Sequence, residues 1–71
     1  MAVTKTMTWK GGQDSNVNIG FELTDDRGHV TPWIIPAQSI DNCPDHAARA
    51  VAEELHNQGG AATGTVTVSI A

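Results

Sequence analysis

A thiol and an imidazole stand three residues apart in Cys43-Pro44-Asp45-His46, at the start of a helix-forming segment. The positive end of a helix lowers a thiol's pKa, so a reactive cysteine would be sought at such a place. A nucleophile also needs a base, a group that orients the base and an oxyanion site, and the neighbouring residues offer no such set. A semi-buried cysteine near a helix cap accounts for Cys43 without chemistry. His46 and His56 lie ten positions apart, which is about 15 Å along a helix, too far to share one ion. Cys43 and His46 together make two ligands where structural zinc takes four. The sequence is therefore read as having no catalytic residues, no metal and no cofactor: not an enzyme.

The remaining polar clusters have plainer readings. Asp25 and Asp26 sit in a turn, and Glu53 and Glu54 are adjacent in a helical stretch. Adjacent helical side chains diverge by about 100°, so the glutamates form no catalytic pair. Gly11-Gly12 and Gly59-Gly60 lack the lysine, hydroxyl and strand-to-helix setting of a phosphate loop and read as turns. The tryptophans carry more information. Trp9 belongs to an inward-facing set and reads as core, whereas Trp33 sits where both faces of a strand are apolar and could anchor an interface.

These side chains must be positioned by a small frame. The chain has 71 residues and a formal net charge of −4, with a pI near 5.0. That length makes residues 1–71 one small domain, near the lower limit for a self-sufficient core. One cysteine rules out an internal disulfide. Four basic residues, Lys5, Lys10, Arg27 and Arg49, are scattered along the chain and build no phosphate-neutralising patch, so no nucleic-acid partner is expected. No long apolar run reads as a membrane span or a signal peptide, and the expected setting is a reducing cytoplasm.

Three segments alternate apolar and small polar residues. Val3, Met7 and Trp9 alternate with Thr4, Thr6 and Thr8; Val17, Ile19, Phe21 and Leu23 with Asn16, Asn18, Gly20, Glu22 and Thr24; Val66, Val68 and Ile70 with Thr65, Thr67 and Ser69. Period-two alternation predicts strands with one buried face and one polar, nearly uncharged face. The first strand is expected over 3–9, with a loop through Gly11, Gly12, Asp14 and Ser15 into a second strand over 16–23. Asp25-Asp26-Arg27-Gly28 predicts a hairpin with Gly28 in the left-handed position. The third strand, about 29–35, has Val30 and Ile34 on one face and Trp33 and Ile35 on the other. Pro32 and Pro36 remove backbone donors and place it at an edge.

A helix follows. Asp41, Asn42 or Cys43 could cap it, and Pro44 sits in its first turn. Pro44, Ala47, Ala48, Val51 and Leu55 form an apolar stripe, with Asp45, Arg49, Glu53 and His56 opposite. Asp45 and Arg49 are spaced to pair, and Gly59 should close the helix. A flexible link over 61–64 leads to the last strand, which either lies beside the first or exchanges into a neighbour's sheet. The order strand, strand, strand, helix, strand predicts an α+β two-layer sandwich, with an antiparallel sheet of about four strands and one helix on one face.

A short acidic chain with Thr/Val-rich strands around one Ala-rich helix is similar to many small proteins of phages and mobile elements. That likeness implies an inhibitor or accessory protein acting on host machinery. The functional expectation is a non-enzymatic protein-binding module. It would form homo-oligomers through the third strand or the polar sheet face, and bind through Trp33, Ile35, Asp25, Asp26, Arg27 and His29. A second expectation is an oligomer that sequesters a nucleotide-like ligand between subunits with Trp33, Arg27, His29 and Arg49. A third is a structural subunit joined to others by strand exchange.

Overall fold

Alternation along the chain becomes a four-stranded antiparallel sheet in the computed structural model, which describes residues 3–13, 17–60 and 62–70. The elements are β1 (Val3–Gln13), β2 (Asn18–Thr24), β3 (Val30–Pro36), a 3-10 segment (Ala37–Asn42), α1 (His46–Gln58) and β4 (Ala62–Ile70). Spatial order is β3-β2-β1-β4, with every neighbouring pair antiparallel. The helix packs on one face, so the α+β class expected from the sequence is the observed one. β4 takes the place beside β1 within its own sheet, and β3 lies at the opposite edge.

The core forms between the sheet and α1. Trp9, Ile19, Phe21, Leu23 and Ile35 enter it from the strands, Ile40 from the 3-10 segment, and Ala47, Ala48, Val51, Ala52 and Leu55 from the helix. Three alanines on the buried helix stripe let its backbone approach the sheet closely, and Val51 and Leu55 fill the remaining depth. The left-handed Gly59 (φ 70°) ends the helix, its N–H bonding to the Leu55 carbonyl. Burial of this one stripe is the main stabilising term, because a thirteen-residue helix is marginal by itself.

Several local expectations need correction. β1 runs on through Gly11 and Gly12, which pair with Phe21 and Gly20 rather than turning. The residues expected to turn after them, Asp14 and Ser15, and the expected strand start Asn16 lie outside the described residues. Val17 is not inward-facing but 53% exposed, just before β2, where its carbonyl accepts from the Ala37 N–H at 2.7 Å. Ala62 to Gly64 already belong to β4, paired with Gly11, Lys10 and Trp9. Backbone pairing outweighs low strand propensity at these small residues.

At the helix start, the cap is Asp45 rather than Asp41, Asn42 or Cys43, and Pro44 precedes the helix. The Asp45 carboxylate accepts from the Ala48 N–H at 2.9 Å. That use orients Asp45 toward the helix end, and Arg49 instead meets Glu53 at 3.2 Å and Asp41 at 3.7 Å. These are exposed pairs and contribute little. Asp45→Ala is expected to lower stability by about 1 kcal/mol in chemical denaturation, with Asp45→Ser retaining most of it. Equal loss in both variants would show that the cap bond is not what Asp45 supplies.

β2 pairs with β1 from Thr8 to Gln13 only, whereas β4 pairs with it from Val3 to Gly11. The strands therefore continue past the four-stranded region as a two-stranded ribbon, residues 3–7 against residues 66–70. The molecule measures 38 × 23 × 17 Å.

Candidate functional site

Among the described residues no element covers the sheet face away from α1. Register fixes what it displays: Thr63, Thr65, Thr67 and Ser69 from β4, Thr4, Thr6, Thr8 and Lys10 from β1, Asn18, Gly20, Glu22 and Thr24 from β2, and Val30, Pro32, Ile34 and Pro36 from β3. Among the described residues of this face the charged ones are Lys10 and Glu22, directly opposite each other with 3.9 Å between Nζ and a carboxylate oxygen. The β4–β1 half is a lawn of hydroxyls. The β3 side is apolar and open, with Ile34 72% and Val30 53% exposed.

Between these halves lies a shallow trough of about 680 Å³ crossing all four strands. Gly12 opposes Gly20, and Gly20 opposes Ile34, so the β1 and β2 positions of the row beside the Lys10–Glu22 pair carry no side chain. Bare backbone forms the floor, the ion pair one wall, and Ile34 stands at the end. Such a form accepts an apolar or aromatic side chain laid on a flat peptide surface, with polar groups around it.

The β2–β3 hairpin makes a second, polar feature. Asp25 Oδ1 accepts from the Arg27 and His29 N–H groups at 2.9 and 2.8 Å, and Gly28 adopts φ 84°, as the Asp-Asp-Arg-Gly sequence predicts. The His29 ring meets the other Asp25 oxygen at 3.4 Å. The His29 N–H bond holds the Asp25 carboxyl below its ordinary value of 3.8; partial desolvation opposes this, and the Arg27 N–H adds to it. A carboxylate whose pKa is depressed on folding contributes stability above its unfolded pKa and loses it as pH falls through the folded value. Acidification below the ordinary carboxylate range is therefore expected to release the Arg27 and His29 amides, read as NMR shifts that Asp25→Ala already shows at neutral pH. Amides that titrate identically in Asp25→Ala would overturn this. Lys5, Thr6 and Met7 face the loop across a polar notch of about 280 Å³.

The residues singled out from sequence are distributed as follows. Asp25, Asp26, Arg27 and His29 share the hairpin and its notch. Ile35 is 5% exposed and belongs to the core, so it offers no contact surface; a strand position opposite Ile19 faces the helix. Trp33 lies on that same inner side, half-buried against the core, with its indole nitrogen shielded and unbonded. Arg49 is paired with Glu53 of α1 and Asp41 of the 3-10 segment. Ile34 and, less so, Val30 are the exposed large apolar residues of this strand, and the alternation itself identifies them: the phase that turns Trp33 and Ile35 inward turns Val30 and Ile34 outward.

Cys43 is half-buried, and its Sγ lies 3.7 Å from the Asp45 carbonyl oxygen. Among the described residues no group of three His, Cys, Asp or Glu could hold a metal ion, and no helix is long and apolar enough to cross a membrane. Comparison of the chain with protein-family models, curated proteins and solved structures finds no match.

Proposed function

We propose that this chain is a non-enzymatic protein-binding module that acts by laying its open sheet face on another macromolecule and occluding it. The observation that carries the reading is Ile34, 72% exposed at the end of a glycine-floored trough. Exposed singly, an isoleucine means little. Here it continues with Val30, Pro32 and Pro36 into an apolar stripe along an edge strand, bordered by hydroxyls and one ion pair. An apolar patch bordered by polar groups is the usual anatomy of a protein interface. The role suits a small inhibitor or accessory protein of the phage and mobile-element kind, acting in the cytoplasm on a host protein. A nucleotide-sequestering pocket has less support, because Arg49 is already paired with Glu53 and Asp41.

Affinity capture from a host lysate tests the reading. Ile34→Asp is expected to retain the captured partner at least about tenfold less well than the wild type, as for loss of an interface hot spot. Trp33→Phe, which keeps the inner packing, is expected to retain it. Undiminished capture by a folded Ile34→Asp protein would refute the assignment of this surface.

A further inference from the structure

The two edges of the sheet are chemically unlike. β3 carries Pro32 and Pro36, which lack an N–H and discourage another strand from adding there. β4 carries no such guard. Its nine residues, Ala-Thr-Gly-Thr-Val-Thr-Val-Ser-Ile, include no proline and no charge, and among the described residues β1 alone pairs with it. Such an edge is a template for strand addition unless something covers it.

From this contrast we infer that β4 pairs with β4 of a second copy, joining two sheets into one of eight strands around a twofold axis at Val66. An axis normal to the sheet keeps each face in place and runs the two strands antiparallel. Full overlap sets Val66 against its own copy, Thr65 against Thr67, Gly64 against Val68, Thr63 against Ser69 and Ala62 against Ile70. On the open face this brings together exposed Thr–Thr and Thr–Ser pairs, which are favourable cross-strand neighbours. On the inner face it brings together Val66 and Val68, each half-buried in one copy. The edge's lack of charge lets two molecules of net charge −4 meet without repulsion along the seam.

The ribbon beyond the main sheet adds a second reason. Two strands alone are marginally stable in water, and pairing across the axis sets this ribbon against β4, β1, β2 and β3 of the other copy. The prolines of β3 also disfavour a β4-to-β3 stack, so assembly closes at two copies rather than growing into a filament. Strand pairing with few side chains buries an area at the small end for interfaces, which places dissociation in the micromolar range. The inference is independent of the proposed partner site, since the dimer leaves both β3 strands outermost.

Sedimentation equilibrium over micromolar to submillimolar concentration tests it with a pair of charge variants on the exposed threonines. Thr65→Lys with Thr67→Lys puts like charges opposite each other across the axis and should weaken the dimer at least about tenfold. Thr65→Lys with Thr67→Glu puts opposite charges there and should dimerise at least as well as the wild type. Hydrogen exchange gives an independent readout: in a monomer every second β4 amide points to solvent, whereas in the dimer both sets are protected. A wild type that stays monomeric at submillimolar concentration, an open-ended polymer, or a dimer indifferent to the like-charge variant would each overturn the inference. Ile34→Asp should leave dimerisation unchanged, so failure here and failure of the partner site read out separately.

Discussion

Replacing Gly11 with valine is expected to cost more than about 3 kcal/mol, enough to leave so small a domain largely unfolded at ambient temperature. Gly11 stands opposite Phe21 in the β1–β2 register and opposite Ala62 on the other side. A Cβ there would overlap the Phe21 backbone and the Gly20 carbonyl oxygen. Neither obstacle is the flexible end of a side chain, so relief requires moving the central strand pair. That pair bears Trp9, Phe21 and Leu23, and displacement spreads into the core. Gly60→Ala is the matched control: nothing lies within 4 Å of its added Cβ, and its effect should stay within about 0.5 kcal/mol. Urea denaturation of both variants checks the prediction. Wild-type stability in Gly11→Val would mean that β1 does not pass Phe21 in this register.

Trp9→Ala is the second large effect, expected at about 3–5 kcal/mol. Trp9 is 7% exposed and lies over Gly64, its cross-strand neighbour. A Cβ on Gly64 would come 2.8 Å from Trp9 Cζ2 and 3.0 Å from Cε2. The indole thus uses the space that the missing side chain leaves, covering the weakest point of β4 and closing the core beside Val51. Gly64→Ala alone should destabilise by about 1–3 kcal/mol through overpacking. In the Trp9→Ala background the same substitution should cost little or add stability, since its methyl enters vacated space. A double-mutant cycle measures the coupling; additive losses would contradict the packing of this ring on Gly64.

The fold was legible because its strands keep a strict period of two and its helix a clear apolar stripe. Ile19, Phe21 and Leu23 alternate with residues on the open face, and Ala47, Ala48, Val51 and Leu55 recur at helical spacing. Boundaries were less legible where small residues stand. Gly11, Gly12 and Ala62 to Gly64 carry turn-like composition, and only their partners across the sheet show that they are strand. At the helix start, Asp41, Asn42 and Asp45 are all good caps by type. Geometry after the 3-10 segment decides among them, and no local pattern encodes it. The surface followed from alternation in β3, provided its phase is carried through: Trp33 and Ile35 cannot face outward when Ile34 does. Large aromatic side chains draw attention as anchors, yet burial against Phe21 and its neighbours claimed Trp33 for the inner side.

The proposed binding surface is the open face around Ile34. Methyl NMR of isoleucine-labelled protein, titrated with the partner recovered by capture, tests it most directly. Ile34 projects from the open face, while Ile19, Ile35 and Ile40 are buried on the other side of the sheet. The Ile34 methyl signals are expected to shift or broaden in proportion to bound partner while those of Ile19 and Ile40 hold their positions. An Ile34 signal unmoved at saturation would contradict it.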